Sequence, residues 1–201
     1  GPMVGVLFAL LPTGAIALAY ATLGTLQVDY GLTENQIAEV RIYNTVASAL
    51  GCVCGGLMGD RFGAKRIVAM AYGLTAVPTA LLGYQIAQLG LQSVPIGTFY
   101  GLIIAHGVVY GMAFGVRNAI FMGMTNPAVA ATQFTAFMGM SNLAISVGNY
   151  WQGVVAERFD YSTVLYFDAL IAVLVILVVP FLRKREAPVA PPTIELAPVK
   201  T

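Results

Sequence analysis

The chain has 201 residues, 58% hydrophobic and only 9% charged, with a formal net charge of +1 and a mean hydropathy of +0.80. Such a balance indicates an all-α integral membrane protein and offers no basic surface for nucleic acid. One histidine and two cysteines are too few donors for a dedicated metal cage, and no cofactor is expected.

A membrane-crossing helix needs about 20 apolar residues, and six stretches qualify: 3–25, 36–59, 66–89, 95–122, 128–156 and 162–182. No polar, cleavable leader precedes the first, so no signal peptide is expected. Thr33-Glu34-Asn35-Gln36 is a capping box that should start the second span. Gly51, Gly55 and Gly59 repeat along one face of that span, as Gly107, Gly111 and Gly115 do along the fourth. Helices in lipid associate by close approach of small residues, so each stripe should receive a neighbouring helix, either as fixed packing or as a sliding face. Cys52 and Cys54 point in separate directions on the second span and read as buried free thiols. Asn126-Pro127 supplies a cap and a first-turn proline before the fifth.

Between the second and third spans runs Gly56-Leu57-Met58-Gly59-Asp60-Arg61-Phe62-Gly63-Ala64-Lys65-Arg66, the only dense charge cluster in the first half of the chain. Glycines at 59 and 63 permit a tight reversal, and Asp60 can face a helix N-terminus or pair with a guanidinium. A plain basic turn retained on one side of the membrane is the alternative. Lysine and arginine favour one side: Arg61, Lys65, Arg66, Arg117, Arg183, Lys184 and Arg185 lie there, against Arg41 and Arg158 opposite. That asymmetry puts both termini in the cytoplasm. Proline-rich residues 186–201 cannot bury enough apolar surface to fold alone and read as a disordered tail.

Three ionisable residues fall inside the spans, where each needs a physical reason to exist. His106 lies near the middle of the fourth, as a proton carrier or as a neutral, hydrogen-bonded packing residue. Arg117, further along, holds an anionic solute group, pairs with an acid, or snorkels to the surface. Asp168 lies in the sixth, as a coupling residue or as a carboxylate satisfied by water and neighbours such as Tyr166. The fifth span is the most polar: Thr135, Ser141, Asn142, Ser146, Asn149 and Gln152 share an arc of roughly 140°. That arc should line a water-filled cavity or bond neighbouring helices. Tyr150 and Trp151 read as interfacial anchors.

The Gly56–Arg66 string resembles the Gly-x-x-x-Asp-Arg-x-Gly-x-Lys/Arg-Arg loop signature of the major facilitator superfamily. A second stretch, Thr125-Asn126-Pro127-Ala128-Val129-Ala130-Ala131-Thr132-Gln133-Phe134-Thr135 followed by Ser141-Asn142, is similar to the junction of helices ten and eleven in the muropeptide permease and acetyl-coenzyme A transporter branch. Together these resemblances imply the carboxy-terminal six-helix half of a twelve-helix secondary transporter in a bacterial inner membrane. They imply rocking-type alternating access and proton-coupled uptake of a small organic solute such as a saccharide-peptide. Gly56, Asp60, Arg61, Gly63, Lys65 and Arg66 would form a conformational latch against a missing amino-terminal half or a second copy of the chain. The abrupt apolar beginning favours a fragment.

Two other classes of function stand beside this one. A membrane-embedded hydrolase would need paired intramembrane aspartates, His-Glu-x-x-His or Gly-x-Ser-x-Gly, and the sequence has none of these, so no enzyme is expected. A non-transporting assembly subunit would show packed polar faces without a central cavity, whereas a transporter half should show a concave polar surface lined by the fourth and fifth spans.

Overall fold

The computed structural model describes residues 2–181, so the predicted tail, residues 186–201, and Arg183, Lys184 and Arg185 before it lie outside the described residues. Those residues form seven α-helices: α1 (Pro2–Ala9), α2 (Ala21–Tyr30), α3 (Glu34–Phe62), α4 (Ala64–Leu89), α5 (Ile96–Met124), α6 (Ala130–Arg158) and α7 (Tyr161–Val175), the last continuing as a 3-10 turn to Phe181. Six continuous spans are therefore not what forms. Residues 3–25 break into α1 and α2, separated by irregular backbone. Four segments are long and apolar enough to cross a membrane: Glu34–Phe62, Ala64–Leu89, Ile96–Met124 and Tyr161–Phe181. The fifth predicted span becomes α6, a continuous helix of 29 residues or about 43 Å, but its serines, threonines, asparagines and glutamines dilute its apolarity.

Local chemistry sets the ends. Thr33 accepts from the Gln36 amide at 3.4 Å while its own N–H donates to Gln36 Oε1 at 2.9 Å, a complete capping box at the start of α3. Thr33→Ala should cost about 0.5–2 kcal/mol, read as a lower thermal midpoint in detergent without loss of helix content. Gly63, at φ +96°, ends α3 and begins α4 in one residue, a backbone conformation that favours glycine. Asn126 caps a short 3-10 turn, Pro127–Val129, and α6 proper begins only at Ala130. Asp160 caps α7, and the Thr163 hydroxyl and amide hold its carboxyl below its ordinary range.

The two glycine stripes find each other, α3 lying along α5. A Cβ on Gly55 would sit 2.7 Å from the Met112 backbone, and one on Gly115 would sit 2.7 Å from the Cys52 sulfur. Cβ atoms on Gly51 and Gly111 would run into the backbone carbonyls of Val108 and Ser48. α4 packs between α5 and α7, and α6 packs on α1 and α7. Of the two thiols, Cys52 is half-buried and Cys54 is exposed, so both are free but neither is fully buried.

The apolar core divides in two. One cluster gathers Phe8, Val68, Tyr72, Phe121 and Phe137. The other gathers Leu18, Leu26, Leu82, Phe99 and Leu165. Residues 10–20 run between them, where Ala15 packs with Ala76, Ala169 and Ala172.

Candidate functional site at a broken membrane helix

The break begins at Leu11-Pro12-Thr13-Gly14. Proline has no N–H to continue a helical ladder, and Gly14 stands at φ +77°, where an added Cβ would strike the Thr75 side chain. Residues beyond α1 thus expose backbone groups in the interior, and each unpaired group in an apolar medium costs several kcal/mol. The neighbouring helices supply the missing partners.

Arg117 of α5 is 3% exposed. Its Nη2 donates toward the carbonyls of Phe8 at 3.0 Å, Ala9 at 3.0 Å and Leu11 at 2.8 Å, and its Nη1 donates to the Thr13 hydroxyl. The guanidinium lies over the rings of Phe8 and Phe121, at 5.4 and 5.0 Å from their centroids. A cation here meets the negative end of α1. Arg117 does not snorkel.

Asp168 of α7 plays the opposite part. Its Oδ2 accepts the Ala17 amide at 2.8 Å and its Oδ1 accepts Gln152 Nε2 at 2.9 Å. Gln152 Oε1 in turn accepts the Thr22 hydroxyl at 2.7 Å, tying α6 and α7 to the first turn of α2. Neither Tyr166 nor another side chain of α7 satisfies this carboxylate. Between these two side chains, Ala15 is held from both sides: its N–H donates to Thr75 Oγ1 at 2.9 Å, and its carbonyl accepts His106 Nε2 at 2.9 Å. That last bond puts the imidazole proton on Nε2 and leaves Nδ1 as a buried acceptor with no partner among the described residues.

All three intramembrane ionisable residues therefore end on one stretch of backbone. A groove of about 380 Å³ opens beside it, with Asn44, Thr45, Ser48, His106 and Tyr110 among its lining residues. Tyr110 stacks on His106 at 5.7 Å between ring centroids and its hydroxyl meets that of Tyr20. Asn44 Oδ1 is a second buried acceptor without a partner among the described residues. The groove belongs to α3, α5 and the broken segment; the sequence pointed to α5 and α6.

The polar arc of α6 divides. Ser141 and Gln152 are buried, Ser141 donating to the Phe137 carbonyl at 2.9 Å. Thr135, Asn142 and Ser146 are exposed, Ser146 donating to the Asn142 carbonyl at 3.0 Å, and Asn149 lies at the boundary with a buried, unpartnered Oδ1. Tyr150 is exposed, whereas Trp151 turns toward Pro12, Ile16 and Asp168 around a cavity of about 220 Å³. In the charged corner, Asp60, Arg61, Gly63 and Arg66 are exposed, Gly56 and Lys65 are half-buried, and Arg61 lies over its neighbour Phe62 at 5.4 Å. A Cβ on Gly56 would meet nothing within 4 Å.

Sequence reasoning passed over Thr75, Thr22, Tyr20, Tyr110, Asn44 and Ser48. The Pro12-Thr13-Gly14 run was the available signal for the break, and Thr75 and Asn44 were polar residues inside otherwise apolar stretches.

The profile of the Major Facilitator Superfamily matches residues 3–200. No curated protein and no solved structure matches the chain. The family is one of secondary transporters, which implies a small-molecule substrate and a membrane setting. With that match over almost the whole length, an all-helical body and four helices able to cross a bilayer, this chain belongs to the major facilitator superfamily.

Proposed function

We propose that the chain is the carboxy-terminal half of a proton-coupled secondary transporter that takes up a small organic solute, such as a saccharide-peptide, across a bacterial inner membrane. The observation that carries this reading is the broken first span beside a polar groove holding two unpartnered buried acceptors, His106 Nδ1 and Asn44 Oδ1. Interrupted helices are where many secondary transporters keep irregular backbone at membrane depth, because there it borders a site rather than lipid.

The exposed polar edge of α6 supports a partner or cavity opposite it, since Thr135, Asn142 and Ser146 would be poorly placed against hydrocarbon. A second six-span unit, an amino-terminal half or another copy, completes that cavity, and rocking of the two units exposes the site to each side in turn. The corner of Asp60, Arg61, Lys65 and Arg66 is cytoplasmic in this reading, with both termini, and latches against the second unit. Gly56, with open space before it, lets that unit approach.

Membrane vesicles carrying the complete transporter should accumulate a labelled saccharide-peptide under an inward proton gradient. His106→Ala should abolish that accumulation while sparing exchange of solute across the membrane. Unchanged accumulation across pH in the variant would reject His106 as the coupling residue. Loss of both activities would assign it to folding or solute binding.

A further inference from the structure

We propose that Arg117 is the built-in occupant of a monovalent-cation site, and that removing it unmasks a site for a small cation. The inference stands on the carbonyl geometry alone and does not depend on the transport reading.

One guanidinium nitrogen, Nη2, carries two hydrogens but faces three backbone carbonyl oxygens, those of Phe8, Ala9 and Leu11, at 2.8–3.0 Å. Three acceptors around a two-hydrogen donor are gathered by charge more than by hydrogen-bond direction. The Thr13 hydroxyl beside them brings a fourth oxygen to the same group. All four partners are uncharged. Such a shell of carbonyls and a hydroxyl, at the end of a half-helix and its unwound continuation, is the chemistry that replaces the hydration of Na⁺ or K⁺ in membrane proteins. The negative end of α1 adds to it.

Burial sharpens the point. Arg117 is 3% exposed, so the guanidinium itself is closed to solvent, although its contact with Leu11 is only part-buried. The Phe8 carbonyl also accepts the Leu11 N–H at 3.3 Å; without a cation the three carbonyls would otherwise be left facing one another, and among the described residues only Arg117 brings a side-chain hydrogen to them. The ring faces of Phe8 and Phe121 flank the guanidinium and complete a pocket for a weakly hydrated cation. The side chain thus does permanently what a bound ion does reversibly. The intact protein should be indifferent to Na⁺ and K⁺ at this position.

The test is thermal unfolding of the full chain, purified in lipid-containing detergent, in NaCl, KCl or choline chloride at equal ionic strength, with and without a low concentration of guanidinium chloride. Wild type should unfold at the same temperature in all three salts. Arg117→Ala should unfold several degrees lower in choline and recover part of the loss in Na⁺, K⁺ or added guanidinium. Arg117→Lys, which keeps a cation, should hold more of the wild-type midpoint than Arg117→Met, which keeps apolar volume. If the alanine variant does not fold, the Lys and Met variants decide by yield of folded protein. A Met variant equal to Lys, failure of both, or an alanine variant blind to every cation would overturn the proposal, as would a wild type stabilised specifically by Na⁺ or K⁺.

Discussion

Asp168→Ala is expected to loosen residues 10–20 and lower the stability of the bundle by about 2–5 kcal/mol. The substitution leaves two buried donors, the Ala17 amide and Gln152 Nε2, without an acceptor, and each orphaned buried group costs roughly 1–3 kcal/mol. For a chain of this size that is a fall of roughly 4–20 °C in the thermal midpoint. Asp168→Asn should lose far less. Its carbonyl oxygen can take the Ala17 amide, while Gln152 and the Thr22 hydroxyl can each exchange donor for acceptor roles, so the chain Asp168–Gln152–Thr22 survives a reversal of direction. Thermal unfolding of both variants decides the matter. Equal losses would mean that the charge itself, not acceptor capacity, is what the segment requires.

The second large effect belongs to the glycine contact. Gly111→Ala and Gly51→Ala should each destabilise the bundle by at least about 1–3 kcal/mol, because the added methyl meets a backbone carbonyl that cannot step aside. Relief requires α3 and α5 to separate along their length. The two substitutions act on one interface, so together they should cost less than the sum. Gly101→Ala is the internal control: it lies on α5 with nothing within 4 Å of its added methyl and should be neutral or gain up to about 1 kcal/mol of helix propensity. A control as damaging as Gly111→Ala would show that α5 tolerates no alanine for reasons unrelated to α3.

These two predictions mark where sequence and structure part company. Apolar length located α3, α4, α5 and α7 well, and the capping box announced Thr33 because its signal is local. The glycine stripes were visible too. That each was the other's partner was not, since spacing on one helix says nothing about which neighbour comes close.

The first span misled for a physical reason. Residues on both sides of Pro12 and Gly14 are apolar enough to average into one stretch, and the compensation that makes the break tolerable sits on other helices. Arg117, His106 and Asp168 could be flagged as needing partners. Their partners are backbone atoms of Phe8, Ala9, Leu11, Ala15 and Ala17, and backbone leaves no mark in residue type. The α6 arc was likewise legible as polar but too wide for a single neighbour: Gln152 and Ser141 turn to protein, whereas Asn142 and Ser146 turn away.

The break also links structure to mechanism. A continuous helix resists bending because every bond in its ladder must yield together. Residues 10–20 are held instead by separable contacts from α4, α5, α6 and α7, and discrete contacts of that kind are what a two-state element needs. Motion of α2 relative to α1 would require Asp168, Thr75 or His106 to release a specific backbone atom.

Amide hydrogen exchange of residues 10–20, followed by mass spectrometry in the full chain, decides whether the neighbouring helices hold this segment. The Ala15 and Ala17 amides should be protected although they lie outside any helix, and Asp168→Ala should expose the segment while α4 and α5 keep their protection. Exchange at the rate of an open loop in wild type, or protection that Asp168→Ala leaves untouched, would show that it is not held in this way.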